Sequence, residues 1–250
     1  MNIEKATVAQ RFGRSAASYD ECTDIQRDIA SQLAALTLPF IPTGATIFEV
    51  GCGTGHLTFP LLLNSHCSRY IANDISQEML TALLSKSHVT NCLSTVHGDA
   101  ETMSWPTDVD VVASASAVQW FASPLSFVTK AGNILKHGNV LCFSTFGSNT
   151  FTELREAGAI GLSYPNFDDW QRALTVDFDV KKKLTVTKTR YYDSLNSLFH
   201  SIKTSGVNAL SERMPVGRMR SLMRQLNSQL SRHQVITLTY EAFLFVAVRR

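Results

Sequence analysis

The chain has 250 residues, 44% of them hydrophobic and 18% charged, with a formal net charge of +2. That is enough to bury a full core as one large domain or a domain with an insertion. No apolar run approaches membrane-spanning length, so a soluble chain is expected. Five cysteines at 22, 52, 67, 92 and 142 are odd in number and form no C-x-x-C pair, so neither a disulfide framework nor a metal site is expected.

In chain order, Met1–Arg14 is polar and charged and lacks the apolar centre of a signal peptide, so a cytoplasmic protein is expected. A first strand is predicted over Ala45–Val50 and a helix over His56–Leu63. Between them runs Glu49-Val50-Gly51-Cys52-Gly53-Thr54-Gly55. Glycines at alternate positions make a turn where no side chain blocks the main chain, as a ligand site or simply as a tight turn. The spacing is G-x-G-x-G and not the G-x-G-x-x-G of a pyrophosphate site. Preceded by Glu49, it resembles motif I of class I methyltransferases, whose donor S-adenosylmethionine carries no phosphate.

A second strand over 69–74 ends in Asp74, which lies 19 residues after Gly55. A carboxylate there offers two acceptor oxygens to ribose hydroxyls, or caps the helix predicted over Ser76–Lys86. Ser76 is the better cap, because the helical pattern starts directly behind it. Leu93–Val96 reads as a third strand, followed by His97-Gly98-Asp99-Ala100-Glu101. Gly-Asp alone is turn chemistry; in the methyltransferase pattern the Asp99-Ala100 pair meets adenine. A fourth strand over Val109–Ser114 ends in small residues that leave room for a ligand. Ser126–Leu135 reads as a helix and Val140–Thr145 as a fifth strand. Alternating strands and helices argue for a mostly parallel, doubly wound sheet.

Beyond Thr145 the alternation breaks. Helices are expected over Phe151–Leu162, Phe167–Leu174, Ser194–Ser205 and Gly217–Leu230, and strands over Val180–Thr189 and Ile236–Val248 closing the sheet as an antiparallel pair. Residues 1–180 carry 10 Lys and Arg against 18 Asp and Glu, net −8, whereas residues 181–250 carry 13 against 3, net +10. Lys181–Lys183 and Arg213, Arg218, Arg220 and Arg224 hold much of that charge. They form either a solvated face or a docking surface for an acidic macromolecule.

Along nearly its whole length the chain resembles the malonyl-acyl carrier protein O-methyltransferase family, within the class I superfamily. The resemblance rests on Val8–Asp20 with Gln26, on Glu49–Gly55, on Ser116-Ala117-Val118-Gln119-Trp120, on Ser205-Gly206-Val207-Asn208-Ala209 and on Leu238-Thr239-Tyr240-Glu241. The chain departs in having Glu49 where the family often has Asp, and in a short Gly147–Asp169 stretch. The resemblance implies a Rossmann-like, seven-stranded, doubly wound α/β sheet with a helical lid. The expected layout is one domain over 1–250, with an N-terminal helical cap at 1–40 and lid insertions at 148–178 and 194–233. S-adenosylmethionine would be held by Gln26, Glu49, Gly51, Gly53, Gly55, Asp74, Ile75, Asp99, Ala100 and Ser114. It would methylate the free carboxylate of a malonyl group on acyl carrier protein, the opening step of pimeloyl synthesis for biotin. The alternatives are another small acid or RNA as substrate, or a non-catalytic descendant of the fold.

A carboxylate is already ionised at neutral pH and needs no strong base, so alignment and water exclusion are the enzyme's work. Tyr19 is expected either to position that carboxylate or to cover the cofactor. Gln119 is expected to orient the substrate, and Trp120 to wall the pocket or to sit in the core. Lys181, Lys182, Arg213, Arg218, Arg220 and Arg224 would dock the acidic carrier. The expected protein is a cytoplasmic monomer that engages neither nucleic acid nor membrane.

Overall fold

The computed structural model describes residues 4–86, 91–156, 164–204 and 216–250. Five parallel strands come first along the chain: β1 (Thr46–Val50), β2 (Arg69–Asp74), β3 (Leu93–His97), β4 (Val111–Ala115) and β5 (Val140–Phe146). Two long strands, β6 (Phe178–Tyr192) and β7 (Ile236–Arg249), complete a seven-stranded sheet of order β3-β2-β1-β4-β5-β7-β6. β7 is antiparallel to both β5 and β6. The order reverses between β1 and β4, and a crevice opens at the carboxyl ends of strands at such a switch.

The helices are α1 (Lys5–Ser15), α2 (Tyr19–Cys22), α3 (Asp24–Thr37), α4 (Thr58–Asn64), α5 (Gln77–Lys86), α6 (Ser126–Ile134), α7 (Thr152–Glu156), α8 (Phe167–Asp177), α9 (Leu195–Thr204) and α10 (Val216–His233). Successive strand residues point to opposite faces, and the sheet divides its apolar side chains accordingly. Ile47, Tyr70, Val111 and Cys142 join Ile29 and Leu33 of α3, Leu61 of α4 and Leu83 of α5 in one core. Phe48, Ile71, Val112 and Phe143 join Phe127 of α6 and Trp170 of α8 in the other. Both faces are covered, as a parallel sheet requires.

The first helix after the glycine bend starts at Thr58, two residues later than its pattern suggests, because Gly55 closes a turn onto Cys52 O at 3.0 Å. Ser76 caps α5, its Oγ accepting from Met79 N at 3.3 Å. β6 extends past both predicted ends because it pairs with β7 as far as Tyr192, with a bulge between Val180 and Lys182. The helix expected over 151–162 is described only to Glu156, and 205–209 and Arg213 lie outside the described residues.

Outside 157–163 and 205–215, which are not described, the helices of the expected lid segments pack on the sheet. Trp170 and Leu174 of α8 are buried under the β5–β7 face. Leu198 and Ile202 of α9 and Leu222 and Leu226 of α10 pack on the apolar cluster of Ile236, Leu238 and Tyr192. Among the described residues, α1, α2 and the start of α3 supply side chains over the switch point.

Candidate active site

A cleft enclosing about 860 Å³ of atom-free space, open to solvent, lies at the carboxyl ends of β1, β2 and β4. Its floor is the glycine bend. Gly51 and Gly53 have φ of +68° and +53°, the left-handed region that favours glycine. A Cβ on Gly51 would meet the Ala117 Cβ at 2.3 Å, whereas a Cβ on Gly53 would project into open space. The bend therefore presents bare main chain to whatever fills the cleft.

Asp74, at the end of β2, is buried and braces this floor. Its Oδ2 accepts from Gly53 N and its Oδ1 from Ser76 N, both at 2.8 Å. Burial raises its pKa against the lowering pull of the Ser76, Gly53 and Ile75 amides. Glu49 lies one strand over, its Oε2 accepting from Thr58 Oγ1 at 2.6 Å and Tyr70 Oη at 2.7 Å. Burial pushes this carboxyl up to about 7, opposed by those two hydroxyls and reinforced by Asp74. Asp99 and Ala100 line the β3 side, and the Ala100 carbonyl accepts from Trp105 Nε1 and from Lys130 Nζ, both at 2.7 Å.

The N-terminal helices cover the cleft through three ties. Lys5 Nζ donates to Trp120 O at 3.0 Å and pairs with Glu101 at 2.8 Å and Asp99 at 3.6 Å. Asp20 accepts from Thr54 Oγ1 at 2.5 Å and pairs with Lys86, which also donates to Thr54 O at 3.2 Å. Thr23 Oγ1 donates to Tyr19 O at 2.6 Å and meets His56 Nε2 at 2.8 Å. The single Thr23 hydroxyl hydrogen is taken by the carbonyl, so His56 Nε2 is the donor and its Nδ1 carries the lone pair. Burial keeps that ring neutral, with its pKa lowered to about 4. Tyr19 stacks on His56 with centroids 5.7 Å apart, and burial followed by Asp74 and Asp20 keeps its phenol protonated.

Of the residues singled out in sequence, Tyr19, Gln26, Glu49, Gly51, Gly53, Asp74, Ile75, Asp99, Ala100 and Trp120 line this one cleft. Gly55 does not; a Cβ there would meet Phe59 at 2.4 Å, so it packs the bend against α4. Ser114 is buried with its Oγ donating to Val50 O at 2.8 Å, which ties β4 to β1. Gln119, expected to touch substrate, is buried outside the cleft lining. Its Nε2 donates to Ser116 O at 2.6 Å and its Oε1 accepts from Thr145 Oγ1 at 3.4 Å, so it braces the turn after β4. No described residue of 148–178 or 194–233 lines the cleft.

Lys5, Phe12, Thr54, His56 and Ser116 also line the cleft, although no site role was expected of them. For Thr54 and His56 the signal was available, since they lie within and beside the bend. The basic residues stand apart from it. Lys181 and Lys182 are exposed on β6, four strands from β1, or roughly 19 Å at the usual strand spacing. Arg218, Arg220 and Arg224 are exposed on α10. Among the described residues there is no group of His, Cys, Asp and Glu that could hold a metal, and no helix is long and apolar enough to cross a membrane.

Comparison with known proteins agrees with this geometry. A family described as "Methyltransferase domain" matches residues 48–143, the span from β1 to β5. Solved structures of a putative methyltransferase from Bacillus halodurans C-125 (TM-score 0.64, 18% identity, 87% of this chain and 98% of that one) and of the N-methyltransferase NodS from Bradyrhizobium japonicum in complex with S-adenosyl-L-homocysteine (TM-score 0.63, 14% identity, 97% and 98%) share the fold. Malonyl-[acyl-carrier protein] O-methyltransferase of Acinetobacter baylyi is 31% identical over 83% of this chain and 80% of its own length. The Haemophilus ducreyi protein of the same name is 30% identical over 99% and 98%. Identity at that level over nearly the whole of both chains, with the cleft assembled as above, means that this chain belongs to the malonyl-[acyl-carrier protein] O-methyltransferase family.

Proposed function

We propose that this protein transfers a methyl group from S-adenosylmethionine to the free carboxylate of malonyl-acyl carrier protein, the step that opens pimeloyl synthesis for biotin. One observation carries the reading: a single cleft at the sheet's switch point gathers the bare main chain of Gly51 and Gly53 with the buried acids Glu49 and Asp74. Those acids fit a cationic donor, and Gly53 leaves space where any side chain would intrude.

When bound, the donor supplies an electrophilic methyl on a sulfonium, which a carboxylate oxygen takes to give a methyl ester and a neutral thioether. Gly51, Gly53, Glu49, Gln26 and Ile75 would hold its amino acid and sugar, Asp74 would accept from the ribose hydroxyls, and Asp99 with Ala100 would meet the adenine. The Tyr19 phenol, kept protonated by burial, donates to the incoming carboxylate without neutralising it. Trp120 and Phe12, edge to face at 5.6 Å, wall the cleft from water. A dry site favours this reaction because opposite charges are neutralised as it proceeds.

The exposed arginines of α10 and the β6 lysines are the surface for the acidic carrier. In this reading the protein is a cytoplasmic monomer acting on a carrier protein and on neither nucleic acid nor membrane. Mass spectrometry of malonyl carrier protein incubated with the enzyme and S-adenosylmethionine should show one methyl replacing one proton. An unchanged mass, with free malonate or RNA methylated instead, would refute it.

A further inference from the structure

Few buried side-chain polar atoms among the described residues lack a partner, and two of them, Ser116 Oγ and Trp120 Nε1, belong to residues that line the cleft. Both sit on the turn that follows β4. Ser116 is held in a left-handed conformation, φ +52°, with its N–H donating to Ser144 O at 3.0 Å and its carbonyl accepting from Gln119 Nε2. Main chain and neighbours are satisfied, and only the hydroxyl is left over. A buried hydroxyl or indole N–H without a partner is unfavourable, so a pair of them on residues of one cleft points to a ligand that supplies acceptors.

The other groups around the cleft narrow the ligand. Glu49, Asp74 and Asp99 repel an anion from the β1–β3 side. Lys5, the cation at the rim, has its ammonium engaged by Trp120 O, Glu101 and Asp99. His56 turns a lone pair, not a proton, to anything beyond Thr23. The remaining free donors on the β4 side are neutral.

We propose that Ser116 Oγ–H and Trp120 Nε1–H receive the carboxylate of the acyl substrate. The inference rests on the carboxyl-methylating reading and adds two donors to the Tyr19 phenol that meets the acid there. Two neutral donors suit the task. They orient a carboxylate through two of its four lone-pair sites and leave its charge available for attack, whereas a cation in the same place would blunt the nucleophile. Gln119 acts through Ser116 as a positioning residue, bracing the left-handed turn that carries the hydroxyl.

The test is calorimetric titration of malonyl- and acetyl-loaded carrier protein onto the full chain saturated with S-adenosylhomocysteine, for the wild type, Ser116→Ala and Trp120→Phe. Trp120→Phe keeps a ring against Phe12 and removes only the donor. Each substitution should weaken the malonyl form about tenfold, as expected for a hydrogen bond to a charged group. Binding of the acetyl form and of S-adenosylhomocysteine should be unchanged. Ser116→Gly, which loses the hydroxyl and relaxes the left-handed backbone, should behave like Ser116→Ala. Undiminished malonyl binding in all three variants, or equal loss on both carrier forms, overturns the assignment. A wild type that does not prefer the malonyl form to the acetyl form instead overturns the carboxyl-methylating reading on which it rests.

Discussion

Glu49 and Asp74 show what burial does to single charges at the floor of the cleft. An ordinary Glu titrates near 4.5, and Glu49 is pushed up to about 7. Between those values the folded protein holds a proton that the unfolded chain has released. Its contribution is therefore most favourable below the unfolded value and declines as pH rises toward 7, with a slope of about 1.4 kcal/mol per pH unit. Glu49→Gln removes the slope. Urea unfolding without cofactor at about pH 5.5 and about pH 8 should show the variant gaining roughly 2 kcal/mol on the wild type across that range. Parallel wild-type and variant profiles would show that Glu49 titrates normally. Asp74→Asn keeps an acceptor and loses the charge; cofactor affinity by calorimetry should fall about tenfold, and unchanged affinity would remove Asp74 from the site. Glu49 was legible because it directly precedes the glycine bend, and Asp74 because it ends the next strand, 19 residues past Gly55. Gln119, expected to orient the substrate, is buried off the cleft lining, a placement no local pattern gives. One left-handed residue, Ser116, reverses the chain there and makes Gln119 an internal brace.

At the scale of elements, the parallel strands were readable from short apolar runs separated by glycine turns, since each needs only local alternation and a helix of adequate length. The cover over 1–40 was expected only from the family resemblance, because the ties that hold it join pairs remote in sequence. Lys5 reaches Trp120 O across 115 positions and Lys86 reaches Asp20 across 66. No local pattern marks α9 and α10 as packed on the β6–β7 edge. Glu101 is the hub of the α1 tie, accepting from Ala122 N at 2.8 Å and Ser123 N at 2.9 Å while pairing with Lys5. Glu101→Ala should loosen α1 locally. Hydrogen exchange over Lys5–Ser15 should accelerate and cofactor affinity fall about fivefold, in line with one part-buried ion pair. Lys136→Ala, which breaks the exposed pair with Asp108 far from the cover, is the control and should change neither.

For the molecule as a whole, charge is segregated. The residues up to 180 are net acidic and contain the cleft, and the remainder is net basic. Arg220 and Arg224, one helical turn apart on α10, face away from the buried Leu222 and Leu226. Replacing both by Glu should raise KM for malonyl carrier protein about tenfold, shrinking at high salt, and leave a malonyl thioester of coenzyme A unaffected. Equal loss on the two substrates would indicate misfolding. The cleft itself is the claim from which all of this follows. A crystal structure with S-adenosylhomocysteine tests it most directly. The ligand should lie over Gly51–Gly53, its ribose hydroxyls on Asp74 and its adenine beside Asp99 and Ala100. A ligand bound elsewhere, with the bend and Asp74 untouched, would contradict the account.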